Sequence, residues 1–164
     1  MSQETDPRTK VHDILKGFST AMFVTVGANG ELQSRPMHVA KAEELAVWFL
    51  TGNRGTLVDQ VKVGARILLV FQSDSAFLSL RGNARIVEDK AQIKALWKEP
   101  YKVWFPGGVD DPEIALVAVD PTAAEYWDNR GANKLEYLFE AARAYFKGEK
   151  PQVGDVDQHG KTSL

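Results

Sequence analysis

The 164-residue sequence contains no cysteine, which removes disulfides, thiolate metal ligands and a cysteine nucleophile at once. It has no apolar run near the roughly 18 residues that a membrane-spanning helix needs, and MSQETDPRTK at its start lacks the apolar stretch of a secretory signal. An excess of one charge is missing too. The 20 Lys and Arg against 22 Asp and Glu leave a formal charge of −2, so no overall field draws in nucleic acid or an anionic membrane. Only three histidines occur, His12, His38 and His159, none with a partner at metal-ligand spacing, so no metal site is expected. There is no G-x-S-x-G elbow, no P-loop and no G-x-G-x-x-G, which leaves hydrolase, phosphoryl-transfer and dinucleotide-fold readings without an anchor. Repeats and low-complexity blocks are absent. What is present, 44% hydrophobic and 26% charged residues, is the composition of one globular domain, and the cytoplasm is its expected location.

The chain then reads as a succession of elements. Asp6-Pro7 is an N-cap followed by proline at the first helical position, and Val11, Ile14, Leu15 and Phe18 recur at helical spacing, predicting a helix over 7–18. TAMFVTVGA, the hairpin signal Asn29-Gly30 and ELQSRPMHVA predict two antiparallel strands. LAVWFLT reads as a third strand that runs into the loop Gly52-Asn53-Arg54-Gly55 and a short helix from Thr56 to Gly64. RILLVFQ and AFLSLRGNARIVE follow as strands, with Gly82 suggesting a bulge or a close backbone approach. A helix from Asp89 to Lys98 precedes the irregular, aromatic EPYKVWFPGGVDDP. Strands IALVAVD and AEYWD come next, separated by Pro121, then a helix over 134–147 and a polar tail over 148–164. Consecutive antiparallel strands over 20–128, with helices at the ends and in two crossings, predict an α+β protein built on a six-stranded antiparallel Greek-key barrel, because closure removes exposed sheet edges.

Three places carry functional promise. Pro36, within Ser34-Arg35-Pro36-Met37, cannot donate to a ladder; it marks either a plain edge strand or a strand along which a flat ligand lies, with Arg35 adding positive charge. Leu50-Thr51-Gly52-Asn53-Arg54-Gly55-Thr56 brings together free N–H groups, hydroxyls and Arg54, which suits a phosphate or, equally, a glycine loop with Thr56 as an ordinary N-cap. Trp104 and Trp127 are rigid aromatics that serve either as core and interface residues or as platforms for a ring. The acidic pairs Glu43-Glu44 and Asp110-Asp111 fall in expected turns and read as solvated loop residues.

S-R-P-M, then W-F-L-T, I-K-A-L-W-K, W-F-P-G-G-V-D-D-P and A-E-Y-W-D, taken in that order from about Thr9 onward, resemble the general stress protein branch of the pyridoxamine phosphate oxidase-like flavin-binding split barrels. The resemblance implies a split barrel, a homodimer with a flavin at the subunit interface, and FMN as cofactor. It places Ser34, Arg35, Pro36 and Met37 along the ring and ribityl chain, Leu50 and Thr51 at the strand end beside them, and Arg54, Gly55 and Thr56 in the phosphate loop. Trp127 matches a late tryptophan that approaches the ring near the interface. One position departs from the pattern: Leu57 stands where the family carries a lysine, so Arg54, or Lys62, Arg66, Arg81 or Arg85, is the candidate to compensate, the alternatives being weak FMN binding, another flavin such as FAD, or loss of the cofactor. Leu57→Lys is expected to strengthen FMN binding if the family geometry is retained. The expected function is an FMN-binding oxidoreductase-like stress protein. Its alternatives are a non-catalytic flavin-sequestering dimer and a barrel with a changed ligand, namely FAD, a deazaflavin or haem on His38. Pyridoxamine phosphate oxidase activity itself is not expected, since that enzyme's C-terminal substrate-phosphate segment is not recognisable.

Overall fold

The computed structural model describes residues 6–130 and 159–164, so the expected helix over 134–147 and residues 148–158 of the tail lie outside the described residues. Helix α1 spans Pro7–Leu15, opened by the Asp6 carboxylate, which accepts from the Arg8 N–H. It ends three residues earlier than the periodicity predicts, because Phe18 leaves the helix to pack its ring 5.5 Å from Phe71. Strands β1 (Thr20–Val26), β2 (Leu32–Glu43) and β3 (Ala46–Gly52) follow, then α2 (Thr56–Lys62), β4 (Ile67–Gln72) and β5 (Ala76–Val87). Helix α3 (Lys90–Leu96) is capped by Asp89, and the aromatic stretch read as irregular begins with a 3-10 helix, Glu99–Val103. Strand β6 (Ile114–Asp128) and strand β7 (His159–Ser163) complete the described chain.

Neighbouring strands run in the order β3-β2-β1-β4-β5-β6, all antiparallel, and β3 pairs with β6, so six strands close into a barrel. The predicted α+β barrel is therefore what forms. Alternation does the work: Ala21, Phe23 and Thr25 on β1, and Ile67, Leu69 and Phe71 on β4, are buried while their neighbours are not. Phe23 and Phe49 meet edge to face at 5.4 Å in the centre, and each such fully buried side chain contributes about 1.5–3 kcal/mol. Val11, Ile14 and Leu15 of α1, with Leu57 and Val61 of α2, belong to the same core. The hairpin joining β2 to β3 turns on Glu44 and Leu45, both at positive φ (48° and 79°), a region where such residues are uncommon; Leu45 offsets that cost by burying its side chain in the core.

Two expectations are corrected. IALVAVD and AEYWD are one strand, β6, and Pro121 does not end it. Residues 114–119 pair with β3 and residues 123–127 with β7, so Pro121 lies between two partners, opposite Gly82, where the β5 ladder also shifts register. A proline there breaks no bond with either flanking strand. Gly82 makes the close approach that the sequence suggests, since a Cβ would sit 2.3 Å from the Asp120 carbonyl oxygen. The end of the polar tail, His159–Ser163, is strand β7, with Gly160 making room for the Tyr126 ring. Asp128 fastens α1 to β6: Lys10 reaches it at 2.9 Å and Arg130 at 2.8 Å, and the Arg130 hydrogen bonds hold its carboxyl well below the usual carboxylate range.

Candidate functional site

Strands β2 and β3 pair only from Glu43↔Ala46 to Val39↔Phe49. Beyond that point they part, β2 continuing along β1 and β3 along β6, and the gap opens a cavity of about 630 Å³ lined by Pro36, Met37, His38, Leu50, Thr51 and Gly52 from the two strands. The Val39 N–H donates to the Ser19 carbonyl on the β1 side, so alternation turns the backbone groups of residues 34, 36 and 38 the other way, toward the gap. Pro36 therefore loses no ladder bond by lacking an N–H. The plain edge-strand reading and the ligand-strand reading describe the same geometry: this stretch of β2 is an edge, and it is an edge inside a cavity.

A second wall comes from the segment after α3. Tyr101, Trp104, Phe105 and Pro106 line the cavity, joined by Asp111 and Glu113. Gly107 and Gly108 make this loop possible. A Cβ on Gly107 would lie 2.8 Å from the Asp111 carboxylate, and Gly108 sits at φ 77°. Asp111 then closes the turn by accepting from the Glu113 N–H at 2.9 Å, while Asn53, just past β3, reaches the Pro112 carbonyl at 3.1 Å and ties the two walls together. Burial raises the Tyr101 phenol above its usual range, and its hydroxyl has no hydrogen-bond partner; the His38 ring approaches the Tyr101 ring at 5.8 Å. Trp104 is 69% exposed, so it is surface and not core.

The predicted site residues divide. Pro36, Met37, Leu50 and Thr51 meet in the cavity. Ser34 lies on the same strand two residues before Pro36, facing out and outside the lining. Arg35 turns inward: its guanidinium donates to Thr25 and Gln33 at 3.3 Å, the Thr25 hydroxyl donates to Gln60 on α2 at 2.6 Å, and Gln60 donates to Gln33 at 3.1 Å. Partial burial lowers the Arg35 pKa, and among the described residues it pairs with no carboxylate. Arg54, Gly55 and Thr56 follow the cavity in sequence but are exposed and do not line it. Gly55, at φ 119°, is the N-cap residue and Thr56 the first helical one, which corrects the reading of Thr56 as a cap. Leu57 is only 8% exposed and packs in the main core, so a lysine there would have to leave the core to meet a ligand. Arg85 is engaged with Asp120 and lies over the Trp48 ring. Trp127 is outside the cavity lining, 40% exposed and stacked on His159 at 4.9 Å. Sequence reading missed Tyr101, Asp111 and Glu113 as cavity residues: Tyr101 meets His38 from the 3-10 helix Glu99–Val103, and Asp111 and Glu113 follow the Gly107-Gly108 turn.

Among the described residues no group of His, Asp and Glu could hold a metal ion, and no helix is long and apolar enough to cross a membrane. A barrel closed by β3 and β6 yet parted between β2 and β3 defines the class: a split β-barrel with a ligand-sized cleft in the split. Within that class the chain belongs to the pyridoxamine 5'-phosphate oxidase like family, whose model matches residues 6–152. No curated protein matches it significantly. Among solved structures it is similar to one described as general stress protein 26 of Jannaschia sp. CCS1, with a TM-score of 0.74, 23% identity, and coverage of 95% of this chain and 97% of the other. It is also similar to a general stress family protein of Xanthomonas campestris pv. campestris (TM-score 0.64, 29% identity, 78% and 92% covered) and to the general stress FMN/FAD binding protein of Xanthomonas citri (TM-score 0.64, 28% identity, 76% and 90% covered).

Proposed function

We propose that this chain binds a flavin, FMN in preference to FAD, in the cleft between β2 and β3, and acts as an oxidoreductase-like stress protein whose homodimer holds the flavin at its interface. The observation that carries this reading is the unpaired backbone edge at residues 34–38, facing a cavity whose size is usual for small-molecule sites. A flavin ring carries carbonyl and N–H groups along one edge, and an open strand edge offers the complementary set at fixed spacing. Pro36, Met37, Leu50 and Thr51 would hold the ring and ribityl chain, and bound flavin would supply the redox chemistry there. The description of the Xanthomonas citri relative as FMN/FAD binding supports the ligand class.

For the phosphate, Arg35 has the stronger claim than Arg54. Neither lines the cavity, but Arg35, one residue before its wall at Pro36, is a partly buried cation held by neutral acceptors, whereas Arg54 is exposed in the loop. The apolar faces of Trp127 and Met22, each about two-fifths exposed, are surface that a second copy would cover.

The test is a titration of the full chain with FMN, riboflavin and FAD, followed by quenching of flavin fluorescence. FMN is expected to bind best, and Arg35→Gln to weaken FMN about tenfold, the worth of one charge-assisted hydrogen bond, while riboflavin binding is unchanged. Equal affinity for riboflavin and FMN would remove the phosphate site, and no binding of any flavin would remove the reading altogether. Bound FMN that neither NADH nor NADPH reduces would mark the flavin-sequestering dimer, and a Soret band after haem addition the changed-ligand barrel.

A further inference from the structure

The cavity continues outward into a second lobe of about 430 Å³. This lobe shares Pro36, Met37, His38, Tyr101 and Trp104 with the inner cavity and adds Thr20, Lys98 and Pro100. The two lobes differ in charge. Asp111 and Glu113 line the inner one, while no carboxylate lines the outer one. The cations around Lys98 are occupied: Lys94 pairs with Asp110 at 3.1 Å and Lys102 with Glu99 at 2.8 Å, but Lys98 makes no ion pair among the described residues. The His38 imidazole, exposed on the face of β2, also has no hydrogen-bond partner among them; its contact is the Tyr101 ring. The remaining walls are mostly apolar, made by Trp104, Tyr101, Met37 and the two prolines, with Thr20 beside them.

We infer that the outer lobe is a subsite for a flat aromatic carboxylate, its ring against Trp104 and its carboxylate on Lys98 and His38; as a substrate site it rests on the flavin reading, since the inner cavity would then hold the cofactor. A purely apolar ligand would leave Lys98 unmatched, and a small polar anion would leave the Trp104 face wet. A ring that bears one negative charge satisfies both. Lys98 and His38 are exposed, so replacing them leaves the core intact.

The test uses 2-naphthoate and its neutral analogue 2-acetylnaphthalene, titrated calorimetrically at low salt into the full chain with and without saturating FMN. Naphthoate is expected to bind more tightly than the neutral compound. Lys98→Met should weaken naphthoate about tenfold and leave the neutral analogue and FMN unchanged, while Trp104→Ala weakens both naphthalenes. Naphthoate binding that ignores Lys98→Met, or no saturable naphthoate binding in a protein that does bind FMN, overturns the subsite. Lys98-dependent naphthoate binding in a protein that takes no flavin upholds the subsite and overturns the flavin reading instead.

Discussion

Two prolines interrupt strands of this barrel, and they mark its two contrasting regions. Pro121 sits in the closed region, where β6 runs along β5 from Leu116 to Asp128 and changes its other partner from β3 to β7 beside Gly82. Pro36 sits in the open region, where β2 keeps one partner and turns its other edge to a cavity. In both, the missing N–H falls where no strand would have received it. The first proline marks a seam between two packed partners, and the second borders the cleft proposed to take the flavin. What separates them is the surroundings: backbone contacts close around Pro121, whereas exposed aromatics and unpaired polar groups stand around Pro36.

Three substitutions sharpen this contrast. The largest effect belongs to Leu57→Lys, which forces an ammonium into the core under α2; a loss of about 3 kcal/mol in urea denaturation is expected, with no gain in FMN affinity. Unchanged stability together with tighter FMN binding would show that α2 presents this position to the ligand after all. Next comes Gly82→Ala, whose methyl meets the Asp120 carbonyl and the Pro121 Cα, neither of which is free to move; about 2 kcal/mol of stability should be lost while FMN affinity holds. Pro36→Ala is the smallest in stability, less than about 1 kcal/mol in the same assay, because its N–H faces the cleft and no strand. Its response should appear in the FMN titration instead, as weaker binding from the lost wall of the pocket. If Pro36→Ala proves as destabilising as Gly82→Ala, the distinction between the two regions fails.

Most of the barrel was legible because most of its strands bury alternate residues, and alternation is written locally. β1, β4 and β5 begin and end within a residue or two of where TAMFVTVGA, RILLVFQ and AFLSLRGNARIVE place them. β7 was not legible: HGKTS has no apolar alternation, and it is a strand because the far half of β6 offers an unpaired edge, which is information from another part of the chain. The continuity of β6 through Pro121 was hidden for the same reason, since only pairing with β5 keeps the strand going. Of the cavity, Pro36-Met37 and the strand end at Leu50-Thr51 were readable as a proline within a strand and a strand leading into a glycine loop. Tyr101 and Lys98 were not: Lys98 ends I-K-A-L-W-K and Tyr101 lies in the aromatic stretch after it, but neither pattern marks which side chain faces β2, and only the fold sets Tyr101 against His38. The inward turn of Arg35 was equally hidden. The parity of β2 against the barrel decides it, and that depends on which neighbour Val39 bonds.

The pairing of β3 with β6 has a consequence for a chain still leaving the ribosome. β3 gains one neighbour early, from the adjacent hairpin, but its other edge, from Val47 to Gly52, has no partner until Ile114–Val119 has been made. Throughout that interval the growing molecule carries an open, largely apolar sheet edge of the kind that recruits foreign strands. The closure that gives the finished barrel its protected core is thus also its period of exposure, during which a holding chaperone has most to offer.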